Sequence, residues 1–167
     1  MALDSRSLIG TTFADRYEIT GRVGAGGMGT VFRAKHLAMD RDVAIKVLNP
    51  HLVADEASRK RFVREMKATS SIDSPYTVSV FDFGTTDGGE AYLVMEFLEG
   101  RTLKNILRKE GPLELPRLIN IAKQVCSALG AAHEQGIIHR DIKPENIIML
   151  DTFDGGEWTK VLDFGIA

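Results

Sequence analysis

The chain has 167 residues, of which 44% are hydrophobic and 26% charged, so it is long enough for one ordinary domain or two small lobes. Its formal net charge of −2 gives no broad basic field, and nucleic acid is therefore not a favoured partner. The single cysteine, Cys126, excludes an internal disulfide, fits a reducing compartment, and lies in an apolar helical pattern that predicts a buried thiol. The sequence contains neither a signal-peptide core nor an apolar run of about 18 residues.

Hydrophobic patterns in the first half of the chain predict strands and one helix after a polar, poorly ordered lead-in over residues 1–12. The predicted strands are 17–23, 30–35, 42–48, 78–83 and 91–97, and the predicted helix is 55–70. Phe62, Met66 and Thr69 share one face of that helix. Its basic residues are interpreted as mostly solvated, with an acidic partner or a phosphate site as the less favoured alternative.

The second half of the chain predicts helices and one small hairpin. Helices are expected at 103–109 and 116–134, and hairpin strands at 147–150 and 158–162. The apolar stripe of the longer helix is wide enough to predict burial on more than one side. The dipeptide Glu99-Gly100 is the expected linker between two lobes.

A glycine-rich turn follows the first predicted strand. Gly24, Gly26, Gly29 and Val31 match the spacing G-x-G-x-x-G-x-V, and glycines let the backbone approach phosphates closely because no Cβ intervenes. The same spacing occurs in dinucleotide-binding folds, but there the turn opens a helix. Because residues 30–33 continue as a predicted strand, the pattern favours a phosphate-covering hairpin over a dinucleotide-binding oxidoreductase.

Lys46 lies at the end of the apolar run Val43-Ala44-Ile45-Lys46. A lysine that faces inward from such a strand is rare unless it is paired. Glu65, in the middle of the next predicted helix, is the predicted partner, and together the two would hold the α- and β-phosphates of a nucleotide. A surface lysine at a strand end is the alternative when the lysine is considered alone.

The run from His139 to Asn146 places several chemically active side chains close together. Asp141 is predicted to accept or orient the proton of an attacking hydroxyl, and Lys143 to neutralise a γ-phosphate. Asn146 and the later Asp163 are predicted to bind the metal that bridges the phosphates. His139 is interpreted as a packing and hydrogen-bonding residue.

The tripeptide Asp-Phe-Gly occurs twice, as Asp82-Phe83-Gly84 and as Asp163-Phe164-Gly165. The first copy ends a predicted strand upstream of the His139 loop and has no partner asparagine nearby, so its role is predicted to be structural. Only the second copy follows the loop at the right spacing. The metal-binding role is therefore assigned to Asp163 alone.

Taken in order, these motifs resemble the eukaryotic-like protein kinase family, and in particular its bacterial serine/threonine branch. The resemblance runs from about Tyr17 to Ala167 and depends on five ordered motifs. It implies an α+β, protein-kinase-like fold: a complete N-lobe, with a five-stranded antiparallel sheet and one helix, followed by the first part of a helical C-lobe. The implied boundaries are a lead-in at 1–16, an N-lobe at 17–98 and a partial C-lobe at 99–167.

The resemblance also implies an activity, the transfer of the ATP γ-phosphate to a serine or threonine hydroxyl of a protein. Asp141, Lys143 and Asn146 would be catalytic, and Asn146 and Asp163 would hold Mg²⁺ or, in its place, Mn²⁺. Arg140 suggests control by phosphorylation of an activation loop. The implied ATP-binding residues are Gly24, Gly26, Gly27, Gly29, Val31, Ala44, Lys46, Glu65, Met95, Glu96, Leu98 and Ile148.

Within that set the family pattern implies individual positions around the adenine ring. Val31 and Ala44 would cover the ring, Ile148 would lie beneath it, Met95 would be the gatekeeper, and residues 96–98 would form the hinge. The expected partners are ATP and a protein with serine or threonine, with no nucleic acid and no membrane segment in this chain. The expected location is cytoplasmic; dimerisation through the N-lobe and a membrane anchor elsewhere in the full-length protein stay open.

The chain departs from the family pattern after Gly165, where the activation loop, the Ala-Pro-Glu element and the remaining C-lobe helices are missing. Those helices would pack on the predicted 116–134 helix. Four large apolar side chains left in water would cost about 6–12 kcal/mol, against a whole-domain stability of about 5–15 kcal/mol. We therefore expect a C-terminally shortened kinase domain that is inactive by itself. The alternative is a non-catalytic nucleotide-binding or kinase-docking module, against which the intact catalytic residues argue.

Overall fold

The computed structural model of the chain describes residues 8–164, which form two compact units with one sheet each. The first unit comprises residues 8–66 and 79–97, and the second comprises residues 67–78 and 98–164. The predicted helices and strands are confirmed, with ends that differ by three residues at most. No helix in the described part of the chain is long and apolar enough to cross a membrane.

The first unit is built on an antiparallel sheet with strand order β1-β2-β3-β4-β6-β5. Its strands are β1 (Thr12–Phe13), β2 (Tyr17–Gly26), β3 (Gly29–His36), β4 (Arg41–Leu48), β5 (Val80–Thr85) and β6 (Ala91–Glu96). A short 3-10 helix at Pro50–Val53 and helix α1 (Glu56–Ser70) follow β4, and the last turn of α1 belongs to the second unit. The sheet therefore has five long strands and one two-residue edge strand.

Alternation along the strands gives this sheet one face that forms the core of the first unit. Val43, Ile45 and Val47 of β4 point to that face, where they pack with Phe32 and Val94 from the neighbouring strands. All six residues from Val43 to Leu48 are buried, so the opposite face of β4 is covered as well. A strand buried on both faces reads as a continuous apolar run, and Lys46 is the exception within it.

Helix α1 begins where Asp55 satisfies the first free backbone N–H groups. The Asp55 Oδ1 atom accepts a hydrogen bond of 2.7 Å from the Ser58 backbone N–H, and this lowers the pKa of the Asp55 carboxyl. Phe62, Met66 and Thr69 are buried, which confirms the predicted inner face. The Phe62 ring meets Phe83 edge to face at 6.4 Å between centroids.

The second unit contains two helices and a three-stranded sheet of order β7-β8-β9. Its elements are β7 (Arg101–Thr102), α2 (Leu103–Glu110), α3 (Leu115–Glu134), a 3-10 turn at Pro144–Asn146, β8 (Ile147–Asp151) and β9 (Glu157–Val161). Thr102 caps α2, because its Oγ1 atom accepts from the Asn105 backbone N–H at 3.2 Å. Gly111 ends that helix at a φ of 80°, which glycine adopts without steric cost.

Helix α3 is buried on one side only among the described residues, so the expectation of burial on more than one side was wrong. Ile121, Gln124, Ala128 and Ala132 form its buried side. The opposite side is in water, and its large apolar members are Leu115, Leu118 and Ile119, with exposed fractions of 66%, 47% and 45%.

The prediction of a buried Cys126 thiol was also wrong, because Cys126 lies on the exposed side of α3. An apolar stripe shows that a helix has an inner face, but neighbouring elements decide how wide that face becomes.

The interpretation of residues 1–12 as a poorly ordered lead-in was wrong for residues 8–12, and residues 1–7 lie outside the described part of the chain. β1 pairs with β2 through Thr12 opposite Glu18 and Phe13 opposite Tyr17. The Phe13 side chain is buried and meets Tyr92 edge to face at 5.1 Å between ring centroids. One aromatic side chain in the core thus ties a short polar segment to the sheet.

Candidate functional site

The glycine-rich turn is the tip of the β2–β3 hairpin, and β3 continues directly from it as a strand. Gly29 opens β3 at a φ of 151°, and a Cβ atom built there would lie 2.1 Å from the Val47 carbonyl oxygen. Gly24, Gly26 and Gly27 have open space where a Cβ atom would stand. A dinucleotide-binding turn is followed by a helix, whereas this turn is followed by strand β3, so the turn is not of the dinucleotide-binding type.

Asn49 supports this turn from the end of β4, and the sequence reasoning missed it. Its Nδ2 atom donates to the Gly27 carbonyl at 2.7 Å, and its backbone N–H donates to the Met28 carbonyl at 3.0 Å. From the sequence, Asn49-Pro50 was interpreted only as the dipeptide that ends the third predicted strand. The preference of asparagine side chains for hydrogen bonds to the backbone of turns could have indicated this role.

Four of the predicted nucleotide-binding residues share one face of the first unit's sheet. Val31 lies opposite Lys46, Lys46 lies opposite Leu93, and Ala44 lies opposite Met95 in the antiparallel register. Directly opposite residues point to the same side of a sheet, as do residues two apart on one strand. Val31, Ala44, Lys46 and Met95 therefore point away from the core face that Val43, Ile45 and Val47 occupy.

The Lys46 side chain is only 4% exposed, which confirms that this lysine is not a surface lysine at a strand end. Lys46 has an interaction partner in the structure. Glu65 lies half-buried on α1. The Lys46–Glu65 pair stays a prediction.

The end of β6 carries the predicted gatekeeper and the start of the predicted hinge. Met95 is 6% exposed. Glu96 is tied to Ser79, because its backbone N–H donates to the Ser79 carbonyl at 3.0 Å and its Oε1 atom accepts from the Ser79 N–H at 2.7 Å. In the second unit, Leu98 and Ile148 are half-buried, and Ile148 is paired within the β7-β8-β9 sheet.

Asp141, Lys143 and Asn146 form one hydrogen-bonded group. The Asp141 Oδ2 atom accepts from Lys143 Nζ at 2.7 Å and from Asn146 Nδ2 at 3.2 Å. Asn146 Nδ2 also donates to the Asp141 backbone carbonyl at 2.9 Å. Its amide hydrogens are engaged by these bonds, so Oδ1 is the atom of Asn146 that suits a metal ion.

This group shifts the pKa of both charged members in the direction that keeps them charged. The hydrogen bond from Lys143 is the main cause that lowers the pKa of the Asp141 carboxyl, and burial opposes it. The hydrogen bond to Asp141 is the main cause that raises the pKa of the Lys143 ammonium group. Asp141 is thus ionised at neutral pH and can accept a proton.

His139 is a structural residue with a defined tautomer. Its ring is 2% exposed, its Nδ1 atom accepts from the Asp141 backbone N–H at 3.2 Å, and its Nε2 atom lies 2.7 Å from the Leu162 carbonyl oxygen. Because Nδ1 accepts, the carbonyl contact requires the proton on Nε2. The ring also packs against Phe164 at 4.7 Å between centroids. These contacts agree with the predicted packing role of His139.

Asp163 lies two residues after the end of β9, and its neighbour Leu162 is hydrogen-bonded to the same loop. The Leu162 N–H donates to the Asn146 carbonyl at 2.9 Å, so the residue before Asp163 is fixed to the predicted metal ligand Asn146. Asp163 has a φ of 60° and Arg140 a φ of 68°, both in the left-handed region that non-glycine residues rarely adopt. Phe164 is buried beside Ala128, Ala132 and the end of α1. Gly165 lies outside the described residues.

The first Asp-Phe-Gly copy is structural, as predicted. The Asp82 Oδ2 atom lies 2.9 Å from Arg16 and accepts a hydrogen bond of 3.0 Å from the Tyr17 hydroxyl group. Burial of the Tyr17 ring, with the nearby Asp82 charge as the second cause, raises the pKa of Tyr17 to about 12. Asp82 thus joins β5 to the start of β2 within the first unit.

Comparison with known proteins identifies the family. Residues 17–167 match the family model described as protein kinase domain. The chain is 44% identical over 164 residues to the serine/threonine-protein kinase pkn3 of Myxococcus xanthus, covering 98% of this chain and 30% of that protein. It is 43% identical over 160 residues to the serine/threonine-protein kinase PrkC of Bacillus subtilis, covering 96% of this chain and 24% of that protein.

A solved structure agrees with these relatives. The PknI kinase domain of Mycobacterium tuberculosis superposes with a TM-score of 0.83 at 31% identity, covering 95% of this chain and 61% of that one. The chain belongs to the protein kinase domain family, in its bacterial, eukaryotic-like branch. The family uses ATP, a divalent metal ion and protein substrates. The chain spans only 24–30% of the length of the two curated relatives described above.

Proposed function

We propose that the protein containing this chain is an ATP-dependent protein kinase that phosphorylates serine or threonine. The observation that carries the proposal is the group of Asp141, Lys143 and Asn146, in which a lysine two residues after the aspartate holds its carboxylate. That lysine position is the serine/threonine pattern of the family. The relatives pkn3 and PrkC, which are both named serine/threonine-protein kinases, support the same proposal.

The first unit supplies groups that suit a nucleotide. The turn at Gly24–Gly29 offers backbone amides with few side chains between them and a phosphate. Lys46 provides a buried cation on the same sheet face as Val31 and Ala44, whose small apolar side chains suit an adenine ring. Glu96 begins the backbone segment that would hydrogen-bond the adenine edge. In this proposal Glu65 joins Lys46 when the nucleotide is bound.

The second unit supplies groups that suit a divalent metal. Asn146 keeps Oδ1 for coordination, and Asp163, which supplies a carboxylate, directly follows Leu162, whose N–H donates to the Asn146 carbonyl. No cluster of three or more histidine, cysteine or acidic side chains that could hold a metal occurs among residues 8–164. Mg²⁺ suits such a site, since it is commonly bound by one or two protein oxygens together with substrate phosphates. The bound metal would neutralise charge on those phosphates.

Asp141 would act on the substrate hydroxyl. Its carboxylate is ionised, and Oδ2 is occupied by Lys143 and Asn146, so Oδ1 is the oxygen that can receive the hydroxyl hydrogen. Lys143 has three N–H donors and uses one of them on Asp141. The others are available to a phosphoryl oxygen, which lets one side chain orient the carboxylate and attract the transferred group.

Replacing Asp141 with asparagine tests the proposal. In the full-length protein, Asp141→Asn should reduce phosphoryl transfer to a protein substrate by about 10²–10⁴-fold, because the proton acceptor is lost. Affinity for Mg-ATP should change little. Incorporation of labelled phosphate and binding of a fluorescent ATP analogue measure the two quantities separately.

Asp73→Asn provides the matched control, because Asp73 is exposed and lies outside the proposed site. This variant should retain wild-type transfer. Undiminished transfer in Asp141→Asn would falsify the proposed role of Asp141. Mg-ATP binding without any transfer in the wild-type protein would instead favour a non-catalytic nucleotide-binding module.

A further inference from the structure

Strand β9 has two edges, and only one of them pairs with a strand of its own sheet. β8 pairs with one edge, in the register Glu157–Asp151 to Val161–Ile147. Unpaired edge groups are unfavourable when they are removed from water. The opposite edge is covered by two different parts of the second unit, a side chain of α3 and the segment 76–78.

Gln124 covers the first half of this edge with its side-chain amide. Its Nε2 atom donates to the Glu157 carbonyl at 3.2 Å, and its Oε1 atom accepts from the Thr159 N–H at 2.6 Å. The side chain is 8% exposed. A primary amide donates and accepts at once without charge, so Gln124 replaces the peptide group of a neighbouring strand at little desolvation cost.

The segment 76–78 covers the second half of the edge. The Val161 N–H donates to the Tyr76 carbonyl at 2.8 Å, and the Val78 N–H donates to the Val161 carbonyl at 3.0 Å. The Trp158 ring stacks on Tyr76 at 4.9 Å between centroids, and its Nε1–H donates to the Pro75 carbonyl at 2.9 Å. β9 is therefore held on both edges along its length.

The anchored strand leads straight into the proposed metal ligand. Leu162, directly after β9, is fixed by bonds to His139 and to Asn146, and Asp163 follows in the left-handed region. A non-glycine residue keeps such a conformation only when its surroundings determine it. Among these anchors, Gln124 bonds the residues of β9 that lie furthest along the chain from Asp163, namely Glu157 and Thr159.

We propose that Gln124 is a positioning residue: by holding β9 it fixes the backbone that presents the Asp163 carboxylate to the metal. This inference rests on the proposed function, because it uses the metal-binding role of Asp163. Outer residues that orient a metal ligand commonly change metal affinity by 10–100-fold when they are replaced. Gln124 should therefore affect metal use more than substrate binding.

The experiment measures metal dependence in the full-length protein carrying Gln124→Met, which keeps the side-chain volume and removes both hydrogen bonds. The Mg²⁺ concentration for half-maximal phosphoryl transfer should rise roughly tenfold, while KM for the protein substrate stays within about twofold. Affinity for Mn²⁺ in the presence of a non-hydrolysable ATP analogue should fall by a similar factor. This second readout does not depend on turnover.

Two further variants keep the test decisive. Gln124→Glu has the same length and keeps the acceptor for the Thr159 N–H, but it loses the donor to Glu157 and places a carboxylate against the Glu157 carbonyl oxygen at a nearly buried position. A rise in the Mg²⁺ requirement at least as large as that of Gln124→Met is therefore expected. Gln135→Met makes the same change at an exposed glutamine at the end of the same helix and should leave metal use unchanged.

The outcomes separate this inference from the proposed function. Unchanged Mg²⁺ and Mn²⁺ dependence in both Gln124 variants, with wild-type transfer intact, overturns the role of Gln124 and leaves the kinase proposal standing. If one Gln124 variant unfolds, its metal affinity cannot be measured, and the other Gln124 variant then decides whether Gln124 has the proposed role. Absence of both transfer and metal–nucleotide binding in the wild-type protein overturns the proposed function, and with it this inference.

Discussion

At the level of single residues, the chemistry of the proposed site depends on hydrogen bonds between near neighbours. Lys143 and Asn146 both donate to one oxygen of Asp141, so the carboxylate is oriented and kept ionised. The same pairing raises the pKa of Lys143. Hydrogen bonds within a short loop can thus set both the protonation state and the orientation of a carboxylate that is not deeply buried.

The lowered pKa of Asp141 has a consequence for the pH dependence of the rate. A depressed carboxyl pKa keeps the base ionised as the pH falls, and activity is lost only below the usual aspartate range. In Lys143→Met the main cause of the depression is gone. The acid limb of the remaining activity should therefore move to higher pH, and transfer at neutral pH should fall by about 10²-fold or more.

The measurement is the pH profile of kcat/KM for the wild type and the variant. Lys143→Arg is the control, because it keeps a cationic donor at the same position and should keep the acid limb near its wild-type pH. An acid limb that does not move in Lys143→Met would show that Lys143 does not set the pKa of the acting base.

At the level of secondary-structure elements, the tip of the β2–β3 hairpin combines open positions with one crowded position. Gly24, Gly26 and Gly27 meet nothing where a Cβ would stand, whereas Gly29 lies against the backbone of β4. The Asn49 side chain closes the turn from the end of β4. The open positions can therefore approach a ligand, while Gly29 keeps β3 in a fixed register with β4.

The contrast between Gly29 and Gly27 predicts different effects for the same substitution. Gly29→Ala should lower the free energy of unfolding by about 1–3 kcal/mol, because its φ of 151° and its 2.1 Å approach to the Val47 carbonyl both oppose a Cβ atom. Gly27→Ala has open space and should change stability by less than about 0.5 kcal/mol. Chemical denaturation followed by circular dichroism compares the two variants, and equal destabilisation would contradict this explanation.

At the level of the whole molecule, each unit supplies a different part of the proposed reaction. The first unit carries the glycine turn, Lys46 and Met95, and the second carries Asp141, Asn146 and Asp163. The second unit also leaves Leu115, Leu118 and Ile119 of α3 in water. Adjacent exposed apolar side chains of this size are uncommon in soluble monomers, where such patches are often interaction sites.

The proposed nucleotide-binding and metal-binding residues predict how Mg-ATP affects thermal stability. Mg-ATP at about 100 times its Kd should stabilise the protein by about 2.7 kcal/mol. ATP with a chelator should give a smaller rise in Tm at the same concentration, because the proposed metal ligands Asn146 and Asp163 then add nothing to nucleotide binding. A thermal-shift assay measures both.

Asp163→Ala separates the metal contribution from the nucleotide contribution. This variant should show the same small rise in Tm with and without Mg²⁺, since Lys46 and the glycine turn stay in place. Asp87→Ala is a control at an exposed aspartate in the β5–β6 turn and should behave as the wild type does. A full Mg²⁺-dependent rise in Asp163→Ala would contradict the assigned metal ligand.

Much of the fold and of the candidate site could be predicted from the sequence, because both depend on short-range patterns. Alternating apolar residues predicted the positions of the long strands. The spacing within residues 139–146 predicted that Asp141, Lys143 and Asn146 act together, and the structure shows them joined by hydrogen bonds. Lys46 was expected to face inward because it lies within an apolar strand, and the structure agrees. Order along the chain also separated the structural Asp82 from Asp163.

The tertiary structure decided the features that depend on residues far apart in the chain. Gln124 bonds a strand 33 and 35 positions away, and no local pattern distinguishes it from any other helical glutamine. The exposure of Cys126 and the burial of Phe13 depend on which elements pack beside them. The sequence by itself determined the order of the elements and the residues of the candidate site. Only packing decided which side chains hold those elements in place, because the periodicity of side chains shows which face a residue lies on but not which residue it contacts.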